Sequence, residues 1–204
     1  VRNEGELKSL VKEAELHALK SQINPHFLFN SLNSISSLTM TDPGKAQEMV
    51  INLSQLMRYS LKHEQKEIVT FQQELENNKL YLSIEKVRFG SKLNPIFIIE
   101  DDCLSAQIPN MILQPLYENA IKYGVYEATE TVDVITHCRR ENEFLEIKIS
   151  NTYDAEVQSK KGEGIGLRNI RDRLQLIYGN PYFMQTSDNN NEFTVTLTIP
   201  QKTN

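Results

Sequence analysis

A histidine follows a proline at Pro25-His26, within the stretch Gln22-Ile23-Asn24-Pro25-His26-Phe27-Leu28-Phe29-Asn30-Ser31-Leu32-Asn33. Neutral imidazole is a competent nucleophile in neutral solution, because its reference pKa is about 6.5. Attack by His26 on a phosphorus atom would leave a labile phosphoramidate. That chemistry needs an exposed ring on a rigid element. Pro25 reads as lying inside a long amphipathic helix, where a lost hydrogen bond and ring crowding cost about 3 kcal/mol or more. The expectation is a kink that presents His26. Asn30, four residues on, shares its helix face and can orient the ring. His17, His63 and His137 have no such setting and read as surface residues.

Two further patches could complete a phosphate chemistry. In Gln114-Pro115-Leu116-Tyr117-Glu118-Asn119-Ala120-Ile121-Lys122, the Asn119 amide oxygen can ligate Mg²⁺ and the Glu118 carboxylate can order a metal-bound water. Lys122 adds a positive charge suited to phosphates. A lone Glu-Asn pair is equally the polar face of an ordinary helix. Gly162, Gly164 and Gly166 form a loop that feeds directly into Leu167-Arg168-Asn169-Ile170-Arg171-Asp172-Arg173-Leu174. Glycines let backbone approach an anion, and a helix N-terminus offers both amides and dipole to it. The loop has neither the βαβ setting of a dinucleotide fingerprint nor the Gly-Lys-Ser/Thr ending of a P-loop.

Composition narrows the class. A net charge of -5 argues against a nucleic-acid partner, whose binding surfaces are usually basic. At 204 residues and 39% hydrophobic content, the chain can build one large or two small packed domains. No run reaches the roughly 18 to 20 apolar residues that cross a bilayer. Two cysteines, Cys103 and Cys138, lack metal-ligand spacing and fit a reducing compartment. The chain opens in charged helical sequence, as though cut from something longer.

The elements that must position these residues are legible in part. Helical pattern runs from Glu4 to about Leu38, with Leu7, Leu10, Val11, Ala14 and Ala18, then Leu28, Leu32 and Ile35, on one stripe. Asp42-Pro43 is a helix start, with Asp42 as N-cap and Pro43 at the first helical position. Ala46, Met49, Val50, Leu53, Leu56, Met57 and Leu61 mark the second helix. A hairpin of two helices buries little, so a second copy completing a four-helix bundle is the economical solution. Beyond a polar junction at His63-Glu64-Gln65-Lys66, a short strand at Ile68-Val69 and a capping box at Thr70 and Gln73 lead into a helix to about Phe89. A strand at Ile96 to Ile99 and a helix from Ile108 to Tyr123, started by Pro109, follow. Val132 to Cys138 and Phe144 to Ile149 alternate at period two, as a hairpin does. A helix from Ile165 to Tyr178 ends at Gly179, and Tyr182 to Thr186 with Phe193 to Ile199 forms a last hairpin. The second half is therefore α+β, with helices on one face of a sheet.

With these three patches in this order, the chain resembles the LytS-type sensor histidine kinases from about Leu19 to Pro200. Gln22 to Asn33 is similar to that family's phosphoacceptor box, Gln114 to Gly124 to its N box, and Gly162 to Leu174 to its G box. The resemblance implies a dimerisation and histidine-phosphotransfer hairpin over residues 1–65. A two-layer α/β sandwich of Bergerat type would follow over 66–204, binding ATP with Mg²⁺. His26 would be the phosphoacceptor, Asn119 the Mg²⁺ ligand with Glu118 beside it, and Gly164 and Gly166 part of the phosphate loop. Asn151 falls where related ATPases place the aspartate that accepts from the adenine amino group; an amide oxygen can accept the same bond. Implied partners are a second copy and the receiver domain of a response regulator. A missing N-terminal membrane sensor is implied as well, making this the cytoplasmic part of an inner-membrane protein. Tyr123, Thr152-Tyr153 and Glu163 depart from the family pattern. Asn151, Thr152 and Glu163 leave open an alternative, a catalytically weak pseudokinase serving as a nucleotide-binding dimeric scaffold. Other Bergerat-type ATPases have no proline-histidine helix upstream.

Overall fold

The computed structural model describes residues 24–62, 66–126, 128–153, 164–180, 183–189 and 191–201. The chain divides into two units, Val1–Glu64 and Gln65–Asn204.

In the first unit, α1 (Pro25–Thr41) and α2 (Pro43–Lys62) pack against each other across the single residue Asp42. The Asp42 carboxylate accepts from Lys45 N–H at 3.1 Å and so caps α2. Phe27, Ala46, Met49, Leu53 and Leu56 are buried. The expected interior proline is corrected: Pro25 occupies the first position of α1, and the Asn24 side chain is the N-cap. There the missing N–H would have had no intrahelical partner anyway, so the cost of an interior proline does not arise. The expected stripe from Leu7 to Ala18 lies outside the described residues.

The second unit is built on a five-stranded sheet of order β2-β4-β5-β7-β6: β2 (Leu93–Ile99), β4 (Val132–Glu141), β5 (Phe144–Thr152), β6 (Met184–Asn189) and β7 (Glu192–Pro200). Only β2 and β4 pair in parallel; the other neighbours are antiparallel. Along β4 and β5 burial alternates. Val132, Val134, Thr136 and Cys138 are buried, as are Leu145, Ile147, Ile149 and Asn151. That face carries the helices α3 (Phe71–Phe89), α4 (Gln114–Ala120) and α5 (Ile165–Tyr178). The opposite face, with His137, Arg139, Glu146 and Lys148, stays polar. This is the two-layer α+β arrangement.

The capping box of α3 is formed in full: Thr70 Oγ1 accepts from Gln73 N–H, and Gln73 Oε1 accepts from Thr70 N–H. The helix expected from Ile108 to Tyr123 is shorter than its pattern. Gln107–Pro109 is instead a strand, β3, antiparallel to β1 (Ile68–Thr70). The loop after it is seized by the buried Glu74 of α3, whose carboxylate accepts from Met111 N–H at 2.8 Å and Leu113 N–H at 3.4 Å. Helix begins only at Gln114, with Pro115 in its first turn. The last hairpin forms with longer arms than expected, β6 running on to Asn189; Pro181 and Tyr182 lie outside the described residues.

Candidate functional site

His26 sits in the first turn of α1 with its ring exposed. Asn24 Oδ1 accepts from His26 N–H at 3.1 Å and Phe27 N–H at 3.4 Å, which fixes the backbone of that turn. Asn30 Nδ2 approaches both ring nitrogens, at 3.3 Å from Nδ1 and 3.1 Å from Nε2. The ring is thus oriented by the residue one turn on, and a helix N-terminus favours negative charge placed there.

In the second unit, α4 presents Glu118 and Asn119, both partly exposed. Glu118 Oε1 accepts from Gln114 Nε2 at 3.0 Å, and burial raises its pKa above the ordinary carboxylate value despite that bond. After Ala120 the helix widens into a π turn, Ile121–Val125. Lys122 is exposed on this turn, with its ammonium 5.0 Å from the centre of the Tyr123 ring.

The π turn brings the second patch to the third. Gly124 packs so closely on β5 that an added Cβ would stand 2.7 Å from Asn151 Nδ2 and 3.1 Å from the Thr152 carbonyl oxygen. Asn151 is 3% exposed and donates through Nδ2 to Thr152 O at 3.1 Å, which leaves its Oδ1 as the acceptor. Gly164 and Gly166, at the start of α5, lie beside the π turn and the first turn of α4. A Cβ on Gly164 would meet Tyr123 Oη at 3.5 Å, and one on Gly166 would meet Pro115 Cβ at 4.0 Å. Gly164 is the N-cap of α5 and has no side chain to bond the first-turn N–H groups. Those amides are left for an anion, so the residues present fit a phosphate. Arg173 of α5 fixes the helix to the loop before α4, donating to Asn110 O at 2.6 Å.

The structure therefore brings together Glu118, Asn119, Lys122, Asn151, Gly164 and Gly166 around α4 and its π turn. Gly162 lies outside the described residues, as do Glu163, His17 and His63. His26 belongs to the other unit. Tyr153 has a structural use: its hydroxyl donates to Asp188 and its N–H to Asn191 O at 2.9 Å, closing β5 onto the β6–β7 turn.

Four residues of this region escaped sequence reasoning. Gly124 looked like any glycine after a helix. Glu85, Arg88 and Tyr126 form a linked group: Arg88 Nη1 lies 3.4 Å from Glu85 Oε2, and Nη2 donates to Tyr126 Oη at 2.7 Å. Glu85 is 3% exposed, and its pKa is pushed up to about 7. Burial is the main cause, and the charge of Glu118 adds to it while Arg88 opposes it. The Glu85-Arg88 spacing of three was a readable signal, though it equally describes any surface pair on a helix.

The fold of the second unit is that of Bergerat-type histidine kinase catalytic domains. Among solved structures, AdeS of Acinetobacter baumannii matches 78% of this chain and 79% of its own at TM-score 0.51 and 13% identity. The catalytic domain of ThkA matches 66% and 95% at TM-score 0.50 and 14% identity. At these identities the likeness is one of fold alone. Residues 14–93 match the family model described as Histidine kinase. The chain is 33% identical to the sensor protein LytS of Bacillus cereus over 213 residues, 98% of this chain and 36% of LytS. It is 36% identical to the sensor histidine kinase YesM of Bacillus subtilis over 201 residues, 96% of this chain and 35% of YesM. The chain belongs to the histidine kinase family, among relatives of LytS type. It spans about a third of the length of the curated relatives it matches.

Proposed function

We propose that this chain is the kinase core of a membrane-anchored, homodimeric sensor histidine kinase. In this reading ATP with Mg²⁺ binds the second unit, and His26 attacks the γ-phosphorus. A P–N bond forms at the ring as the bond to the ADP oxygen breaks. The phosphoryl group then passes to an aspartate of a response-regulator receiver domain. The observation that carries the reading is the placement of the π turn, with Gly124 against Asn151 and Tyr123 beside Gly164 at the start of α5.

Each residue has a definable task. Asn119 would hold Mg²⁺ through its amide oxygen, with the Glu118 carboxylate beside it to order a water, and the ion would neutralise charge on the phosphates. Lys122 faces phosphate with its ammonium. The α5 amides and the backbone at Gly164 and Gly166 receive phosphate oxygens, with Gly162 assigned to the same loop. Asn151 Oδ1 accepts from the adenine amino group, and its Nδ2 bond to Thr152 O disfavours the flipped amide that a guanine carbonyl would need. Positioning and charge neutralisation supply most of the catalysis in such transfers.

A second copy is supported by apolar residues that the hairpin leaves exposed, among them Phe29 at 66% and Met40 at 87%. The membrane anchor is supported by the sensor names of the relatives; among the described residues no helix is long and apolar enough to cross a membrane.

Thermal unfolding with ADP·Mg²⁺ tests the nucleotide site. The wild type gains stability with ligand by mass action, and Asn119→Ala loses the Mg²⁺-dependent part of that gain. No shift in the wild type at saturating ADP·Mg²⁺ would overturn the reading.

A further inference from the structure

We propose that Arg88 and Tyr126 form a clamp between the end of α3 and the π turn, making Arg88 a positioning residue of the nucleotide site. The inference rests on the nucleotide-binding reading above, and its argument is geometric.

A π turn gives up regular helical hydrogen bonding and is retained mostly where a functional segment needs the extra residue. Here the extra residue carries Gly124 onto Asn151, while Asn119 stays on regular helix just before it. Such a turn needs holding from outside. Tyr126 follows it directly, and Tyr126 N–H donates to Ile121 O at 3.1 Å. Arg88 grips Tyr126 in two ways. One is the 2.7 Å hydrogen bond to the hydroxyl; the other is the guanidinium lying 4.9 Å from the ring centre. Phe89 completes the grip, edge-on to Tyr126 at 5.1 Å and 4.8 Å from the guanidinium. Arg88 and Phe89 stand in the last turn of α3, which ends at Gly90, whose φ of 60° suits glycine.

Glu85 shows what the clamp costs. It is a buried carboxylate that Arg88 approaches at 3.4 Å, with the charge of Glu118 acting against it. A buried pair of this kind is seldom kept for stability, since apolar residues of similar size do as well or better. Its use is to hold the guanidinium in the plane that reaches Tyr126. Lysine would not serve, as it has one donor group and no flat face to stack.

The test uses Arg88→Met, Tyr126→Phe and the double variant of the whole chain, at a temperature well below unfolding. Two quantities are read: affinity for ADP·Mg²⁺ by calorimetry, and amide exchange of residues 121–126 by mass spectrometry without nucleotide. Each single variant should weaken ADP·Mg²⁺ binding roughly tenfold and speed exchange across the π turn. The double variant should be no worse than Arg88→Met alone, because both changes remove one clamp. Faster exchange with unchanged affinity would reduce the contact to a structural one and overturn the inference. So would losses that multiply in the double variant, or exchange that stays at the wild-type rate. A wild type that fails to bind ADP·Mg²⁺ overturns the nucleotide reading itself, and the positioning role with it.

Discussion

Replacing Glu85 by glutamine should make the second unit more stable in alkaline solution and leave it unchanged in acid. The side chain is 3% exposed, and its pKa stands at about 7 against an ordinary 4.5, mainly through burial. A carboxyl whose pKa is raised by folding favours the folded state fully below the unfolded value. That contribution is lost as pH rises through the folded value, because the native protein must then hold a buried charge. The displacement from 4.5 to about 7, at about 1.4 kcal/mol for each pH unit, corresponds to about 3 kcal/mol above pH 8. Glu85→Gln keeps the shape and an acceptor for Arg88 but never ionises. Urea unfolding followed by far-ultraviolet dichroism at pH 5, 6, 7 and 8 reads the difference. The gap between variant and wild type should be about 1 kcal/mol at pH 5, about 2 kcal/mol at pH 6, and about 3 kcal/mol at pH 7 and 8. A variant less stable than wild type at pH 8, or a gap independent of pH, would refute the reasoning.

Two substitutions test the packing around the site. Gly124→Ala should cost about 1 to 3 kcal/mol and weaken ADP·Mg²⁺ binding at least tenfold, as its Cβ would lie 2.7 Å from Asn151 Nδ2. Thermal unfolding and calorimetry check both, and unchanged affinity would separate Asn151 from the base. Glu74→Ala should cost about 3 kcal/mol or more, because it strips the acceptor from Met111 and Leu113 N–H groups beside a fully buried position. A loss under about 1 kcal/mol in urea unfolding would show that another group satisfies those amides.

Much of the fold was legible because its signals are local. The Thr70-Gln73 box, the period-two alternation of β4 and β5, and Gly179 in left-handed conformation act within a few residues of chain. The exceptions are places where tertiary contacts override local pattern. Residues 107–113 carry apolar spacing suited to a helix, but pairing with β1 and the Glu74 carboxylate hold them extended or turned, with Met111 at φ 54°. Pro25 was misplaced for the opposite reason. Asn24-Pro25 is itself a helix-start pair, and the apolar stripe upstream concealed it. At the site, the residue types at Glu118, Asn119, Asn151 and the glycines were visible, whereas the π turn has no periodic signature. Its extra residue sets where Gly124 and Tyr126 fall, and with them the contacts to Asn151 and Arg88.

The central claim is that His26 takes the γ-phosphoryl group of ATP. The most direct measurement is incubation with γ-labelled ATP and Mg²⁺, followed by acid and alkali treatment and peptide mapping. The account predicts acid-labile, alkali-stable label on the peptide containing His26, absent from His26→Gln although that variant still binds ADP·Mg²⁺. Label that persists undiminished in His26→Gln would contradict it. Nucleotide binding by the wild type with no label at all would also contradict it, and would favour a scaffold that binds nucleotide without transferring phosphate.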